Sequence, residues 1–172
     1  NVTNSLGGAN CLQDAASRLH ELAALAEQHP DEPQVQIEYC KSFVNIIAYL
    51  GDGRTYKIST NEISNLLTLP TPVPPDDRDV QLEYVKALVN FASYLGEADW
   101  LREAQGCIGY VQSLANTHPR KADLQLQTAT GLLNLIYDLG NKGYVSDAAD
   151  WLTELAALAK EWANKPSIQL NY

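Results

Sequence analysis

The sequence predicts an all-α protein built as an α-solenoid of stacked antiparallel helix pairs. Two observations carry that prediction. The segment Val35-Gln36-Ile37-Glu38-Tyr39 through Gly51 returns as Val80-Gln81-Leu82-Glu83-Tyr84 through Gly96, and more loosely as Leu124 to Gly140. In addition, Gln36, Gln81, Gln125 and Gln169 are spaced by 45, 44 and 44 residues, and a fixed period of this size marks a helical repeat array. One helical pair cannot bury its apolar face alone, so neighbouring pairs are expected to share a continuous core.

Each unit reads as two helices. In the first, helix A, the apolar residues Ile37, Cys40, Phe43, Val44, Ile47 and Leu50 fall at helical spacing, and Leu82, Val85, Leu88, Val89, Ala92 and Leu95 repeat the pattern. Leu50-Gly51, Leu95-Gly96 and Leu139-Gly140 are expected to end it, because glycine accepts the left-handed conformation that closes a helix. Helix B is expected over Leu12 to Gln28, Thr60 to Leu69, Trp100 to Thr117 and Val145 to Trp162. Its stops are His29-Pro30-Asp31-Glu32-Pro33, the proline-rich stretch from Pro70 to Pro75, His118-Pro119 and Pro166, since proline cannot continue a helix interior. The unit between Gly51 and Pro70 deviates, with no Ala-rich run and four prolines at its end. A shortened helix with a stiff surface loop is the plain reading there, a proline-rich contact site the functional one.

These elements divide a single repeat domain, 1–172, into a partial repeat (1–33), three full repeats (34–78, 79–122 and 123–166) and the start of another (167–172). Residues 1–39 also overlay on 134–172, with Asn1 on Asn134, Asp14-Ala15-Ala16 on Asp147-Ala148-Ala149, and Glu21 through Ala26 on Glu154 through Ala159. The chain is therefore expected to be an internal piece of a longer array.

Composition narrows the function classes. A formal charge of −9 argues against a nucleic-acid partner, since phosphate binding needs clustered lysine and arginine. No apolar run approaches the roughly 18 to 20 residues of a membrane span, so no membrane partner is expected. Cys11, Cys40 and Cys107 are odd in number and far apart, and read as small hydrophobes in a reducing, cytoplasmic setting. Asn1-Val2-Thr3 fits a glycosylation acceptor, a triplet that arises readily by chance. His20, His29 and His118 have no metal-ligand spacing, and no phosphate-binding, nucleophile-elbow or metalloprotease motif occurs. No catalytic residue, metal or cofactor is expected.

The turn between the helices carries a family resemblance. Gly143-Tyr-Val-Ser-Asp-Ala148 resembles the junction of a tetratricopeptide repeat, in which a turn glycine precedes by five residues a small residue at the close helix contact. Ala148 recurs as Ala104 and Ala15, and the turn glycine is replaced by Asp99 and Asn10, residues that also tolerate turn conformations. The resemblance implies a right-handed superhelix of elongated units, about 44 residues each, with the A helices lining a concave groove where ligands bind. A HEAT-type or other α-solenoid is the competing architecture.

One polar residue recurs at the same place in every A helix: Asn45, Asn90 and Asn134, with Asn1 as a further equivalent. Asparagine is a mediocre helix former, so its repetition suggests a specific bond. One reading is a ladder of amides that gives a donor and an acceptor to the backbone of an extended peptide. The other is a structural tie between one helix and the next. Lys41 and Lys86 lie a turn earlier, Glu38 and Glu83 before them, and Tyr49 and Tyr94 beyond. The lysines would hold a carboxylate, while Glu38 with Lys41 and Glu83 with Lys86 also suit solvated ion pairs. Tyr39 and Tyr84 are expected to pack between helices. The third unit carries Gln127, Thr130 and Asp138 in place of Glu83, Lys86 and Tyr94, grading any groove along its length.

The function expected is a non-catalytic scaffold for protein or peptide partners. The alternatives are the sensor arm of a larger signalling ATPase or protease, and a module that self-associates end to end through uncovered repeats.

Overall fold

A computed structural model describes residues 12–51, 78–118 and 121–163. They form six helices: α1 Leu12–Gln28, α2 Pro33–Gly51, α3 Arg78–Glu97, α4 Leu101–Thr117, α5 Ala122–Asn141 and α6 Val145–Glu161. The helix expected over Thr60 to Leu69, the proline-rich stretch, Asn1, Cys11 and the segment from Ile168 onward lie outside the described residues. The chain divides into two compact units, Asn1–Tyr84 and Val85–Tyr172. In the first, α1 packs on α2; in the second, α4 packs on α5 and α5 on α6. The described residues are thus all-helical, and within each unit helices stack on their neighbours in sequence.

α2 begins at Pro33, which the sequence pattern assigns to the preceding stop. Proline suits a first helical position, where its missing N–H is not needed. The Glu32 carbonyl opens the helix by accepting from the N–H groups of Val35 (3.1 Å) and Gln36 (3.3 Å). In the first unit Ala15, Leu19, Ala23 and Ala26 of α1 and Cys40, Phe43, Ile46 and Ile47 of α2 are buried. Tyr39 and Tyr84 are buried as expected, and Phe43 lies 6.5 Å edge-on from Tyr39 and 5.9 Å from Tyr84.

The buried surface of α3 is wider than a single apolar stripe. Besides Val85, Leu88, Val89, Ala92 and Leu95, the residues Ala87 and Phe91 are also buried. α5 approaches closely over Gly131, where an added Cβ would sit 2.7 Å from Ile108 Cδ1 and 3.0 Å from Val89 Cγ2. Any side chain there would push α5 off both neighbours, so the glycine sets their separation.

α3 and α5 end at Glu97 and Asn141, one residue past the expected glycines, and the left-handed residue follows two positions later. Gly96 and Gly140 lie inside the last turns of α3 and α5, and the left-handed residues are Asp99 (φ 71°) and Gly143 (φ 84°). The Trp100 N–H donates to the Leu95 carbonyl (2.8 Å) and the Asp99 N–H to Gly96 (3.3 Å). Tyr144 and Gly143 repeat the pair onto Leu139 (2.9 Å) and Gly140 (3.1 Å). These are Schellman closures, in which the residue past the cap reaches back five positions to satisfy the last carbonyls. The leucine accepts that bond, and the glycine beside it is not the hinge. Asp99 and Gly143 are the two positions that the sequence equates as turn residues. Five residues beyond each, Ala104 is fully buried and Ala148 half-buried.

Candidate functional site

The repeated glutamine has a job that its spacing does not disclose. The Gln36 amide of α2 donates through Nε2 to the Ala26 carbonyl (2.8 Å) and the His29 carbonyl (3.2 Å) at the end of α1. The Gln125 amide of α5 donates in the same way to the Ala115 carbonyl (2.9 Å) at the end of α4. Each therefore spans ten residues and bonds a last-turn carbonyl whose usual donor, four residues on, is a proline with no N–H (Pro30 and Pro119). Gln81 and Gln125 are buried. We call this contact a latch, because it joins the end of a B helix to the first turns of the next A helix.

The asparagines divide. Asn45 and Asn90 are exposed, and Asn134 is half-buried. The Asn134 amide donates through Nδ2 to Ser93 Oγ on α3 (3.0 Å), and that hydroxyl donates in turn to the Val89 carbonyl (3.2 Å). Asn134 is thus a tie between α5 and α3. Ala48 stands at the position of Ser93 in the preceding repeat, so the hydroxyl that receives Asn134 has no counterpart there.

Four of the expected site residues come together in the first unit. Between α2 and the start of α3 lies a groove of about 550 Å³, lined by Glu38, Lys41 and Asn45 on α2 and by Asp79 and Glu83 on α3, with Cys40, Val44 and Val80 among its walls. Lys41 Nζ is 3.5 Å from Glu38 Oε1, and Glu38 also accepts from Gln34 Nε2 (3.3 Å). Both partners of the ion pair are about half exposed, which limits its worth to a few tenths of a kcal/mol. Burial pushes the Cys40 thiol up to about 12, so this wall stays neutral and unreactive. Cys107 is raised to about 11, mainly by burial and then by Glu103.

The other expected residues stand elsewhere. Lys86 and Tyr94 are half-buried on α3, in the second unit with Asn90 and Asn134. Tyr49 belongs to α2, and its side chain lies outside the described residues. Asp79 and Val80 were not among the expected groove residues. Asp79 stands four positions before Glu83, and that spacing puts both carboxylates on one face of α3.

A second set of contacts ties α5 and α6 to α3 and α4. Lys142 reaches back to pair with Asp99 and lies 3.5 Å from the Glu97 carbonyl, a cation at the negative end of α3. On the B helices, Gln105 donates to Asp147 (3.4 Å) and Gln112 to Glu154 (2.9 Å), a repeat of one contact two turns further along. Among the described residues no trio of His, Cys, Asp or Glu converges to hold a metal ion, and no helix is long and apolar enough to cross a membrane. Comparison with protein-family models, with curated proteins and with solved structures finds no match. The described helices stack in sequence in the manner of a helical repeat, and glutamine latches α1 to α2 and α4 to α5.

Proposed function

We propose that this chain is a non-catalytic interaction module that takes an extended segment of a protein partner along its A helices. In this reading the array is a right-handed, tetratricopeptide-like superhelix with long units. The observation that supports it is the groove between α2 and α3, because Glu38, Lys41, Asn45 and Glu83 line it together. Its volume falls in the range of about 300 to 1,000 Å³ typical of pockets that enclose a ligand. Asn45 presents both an amide donor and a carbonyl acceptor, the pair needed to hold a peptide backbone without reading its side chains. Asn90 carries the same chemistry in the next A helix, whereas Asn134 already has a partner.

The test is selection of random, unstructured heptapeptides on the intact chain, followed by affinity measurement on Asn45→Ala, Asn90→Ala and Asn134→Ala variants. Binding is expected to fall with the first two at unchanged helix content and melting temperature. The third should lower the melting temperature instead. Selected peptides that bind the Asn45→Ala, Asn90→Ala double variant as well as the parent would overturn the proposal.

Self-association is a second reading, supported by an apolar face on α5 and α6. Leu133, Val145 and Leu152 are 41%, 69% and 48% exposed, while their equivalents one repeat earlier, Val89, Leu101 and Ile108, are buried. Tyr137 and Tyr144 are exposed as well. Sedimentation over a hundredfold concentration range distinguishes the readings: a strict monomer excludes self-association.

A further inference from the structure

We propose that α6, together with Leu133 of α5, docks an amphipathic helix of a partner protein, one built on the pattern of α2 and α5. This surface is separate from the α2–α3 groove and does not depend on the groove taking a peptide. It is the exposed face that also supports self-association, with a different occupant.

Two helices of nearly the same sequence meet different surroundings. Asp147-Ala148-Ala149 and Glu154 through Ala159 of α6 repeat Asp14-Ala15-Ala16 and Glu21 through Ala26 of α1 residue for residue. α1 is followed by an A helix that packs on it, and so is α4, whereas no helix follows α6 among the described residues. The consequence shows at three equivalent positions. Ala15 and Ala104 are fully buried, and Ala148 is half-buried. Leu19 and Ile108 are fully buried, and Leu152 is 48% exposed. Ala26 and Ala115 are buried, and Ala159 is half-buried. Leu133 is likewise exposed, whereas its equivalent Val89 is buried beside Gly131 of the A helix that follows it. Leu155 is buried where α6 packs on α5. The bare side of α6 is therefore the side that α1 and α4 bury.

The two helices that cover a B helix state what fits. In α2, Gln36 is followed four, seven and ten residues on by Cys40, Phe43 and Ile46; in α5, Gln125 is followed at the same intervals by Ala129, Leu132 and Leu135, and all six are buried. The partner is thus a helix of about three turns that carries a small residue and then two large apolar ones at this spacing. Such a helix binds by laying its apolar stripe on a matching surface. A second folded copy of the chain does not offer that stripe, because its own A helices already bury these residues. Residues 166–172 repeat only the opening of the pattern, with Ile168-Gln169-Leu170 for Val35-Gln36-Ile37. The glutamine should matter less here. Ala159 stands where Ala26 and Ala115 accept the latch, but residue 163 is alanine, with the N–H that Pro30 and Pro119 lack.

The experiment uses the intact chain and a 19-residue peptide that copies Pro33–Gly51, with Cys40→Ala to prevent disulfides. Peptide is added up to about 1 mM, since an isolated helix of this length must order as it binds, and amide chemical shifts locate it. The amides of Leu152, Ala156 and Ala159 are expected to shift. Phe43→Ser in the peptide should weaken binding about tenfold or more, because it removes a large apolar anchor, and Gln36→Ala less than about threefold. In the chain, Leu152→Glu should weaken binding about tenfold or more while the melting temperature stays within about 2 °C, as at other exposed positions. Asn45→Ala in the chain should change nothing, which separates this surface from the groove.

The other outcomes overturn the proposal. No shift in α6 at the highest peptide concentration means that the face takes no such helix. Shifts at Leu19 and Ala23 instead mean that the peptide has displaced α2 from α1. Binding seen only after residues 166–172 are removed makes the chain's own segment the occupant. Shifts at Leu152 and Ala159 that grow with chain concentration in the absence of peptide make the occupant a second copy.

Discussion

Replacing Gln125 tests whether the glutamine that marks the repeat also holds it together. Gln125 is 3% exposed, and its amide lies 2.9 Å from the Ala115 carbonyl at the end of α4. Truncation to alanine removes a buried hydrogen bond, worth about 1 kcal/mol. It also removes a buried methylene and part of its packing, worth about another 1 kcal/mol. The loss stops there, because the Ala115 carbonyl keeps the bond from the His118 N–H at 3.0 Å and is not left unsatisfied. The expected cost is about 2 kcal/mol, or a fall of roughly 4 to 8 °C in melting temperature for a domain of this size. Gln36 is half-buried, so water replaces much of what its two bonds supply, and Gln36→Ala should cost about half as much.

Gln125→Glu separates the bond from the packing. Its shape is nearly unchanged, but the ionised carboxylate accepts only and would face a carbonyl oxygen in a buried site. At pH 7 it should be less stable than Gln125→Ala. Such a carboxyl has a folded-state pKa raised above the unfolded value, so its penalty grows as pH rises through the folded pKa and fades below the unfolded one, about 4.3. Urea unfolding followed by far-ultraviolet circular dichroism at pH 7 and pH 4 is the assay. A Gln125→Ala variant within about 0.3 kcal/mol of the parent, or a Gln125→Glu variant with no relative recovery at pH 4, would refute the latch.

Two glycines of α5 should respond oppositely to the same change. Gly131→Ala should destabilise by up to about 2 kcal/mol, because the clash with Val89 and Ile108 outweighs a helix-propensity gain of about 1 kcal/mol. Gly140→Ala, with nothing within 4 Å of the new Cβ, should stabilise by up to about 1 kcal/mol; thermal melts of the pair check the difference in sign. The Asp138 carboxyl is raised above its usual range, first by burial and then by Glu97, with Lys142 opposing. Its stabilising effect is therefore present below the unfolded pKa and lost as pH rises through the raised folded value. Asp138→Asn should raise the melting temperature at pH 7, and the gain should shrink below pH 4.

The architecture was legible because repetition compares a sequence with itself. Tyr39 and Tyr84 recur among apolar neighbours and are buried, and the equivalence of Asp99 with Gly143 locates both left-handed turns. What the pattern misplaced was set by contacts at a distance. The left-handed turn falls at Asp99 and Gly143 because the Schellman bonds run back to Leu95 and Leu139. The expected closing residue, Gly96, instead stands where an added Cβ would meet the Asp138 carboxylate of α5. The groove was half legible: Glu38, Lys41, Asn45 and Glu83 stand out by recurrence, but Asp79 and Val80 sit in the first turn of α3 and become walls only through its packing beside α2.

A repeated residue keeps its identity more readily than its job. Asn134 has the hydroxyl of Ser93 to bond, whereas Ala48 stands at that position one repeat earlier, so one asparagine is committed to packing while its copies remain exposed. α5 carries this conversion further. Where α2 and α3 place Lys41 and Lys86, α5 has Thr130, whose hydroxyl donates to its own helix at the Leu126 carbonyl (3.0 Å). Where they place Tyr49 and Tyr94, it has Asp138, packed against Gly96. Of the α5 equivalents, Asn134 joins two helices and Thr130 bonds within its own, so neither offers the groove chemistry of Lys41 and Asn45. Ligand selectivity is then expected to depend on α2 and the first turns of α3, and substitutions of Thr130, Asn134 and Asp138 should change stability while leaving affinity for the selected heptapeptides intact. A loss of affinity in those variants at unchanged stability would mean that α5 shares the site.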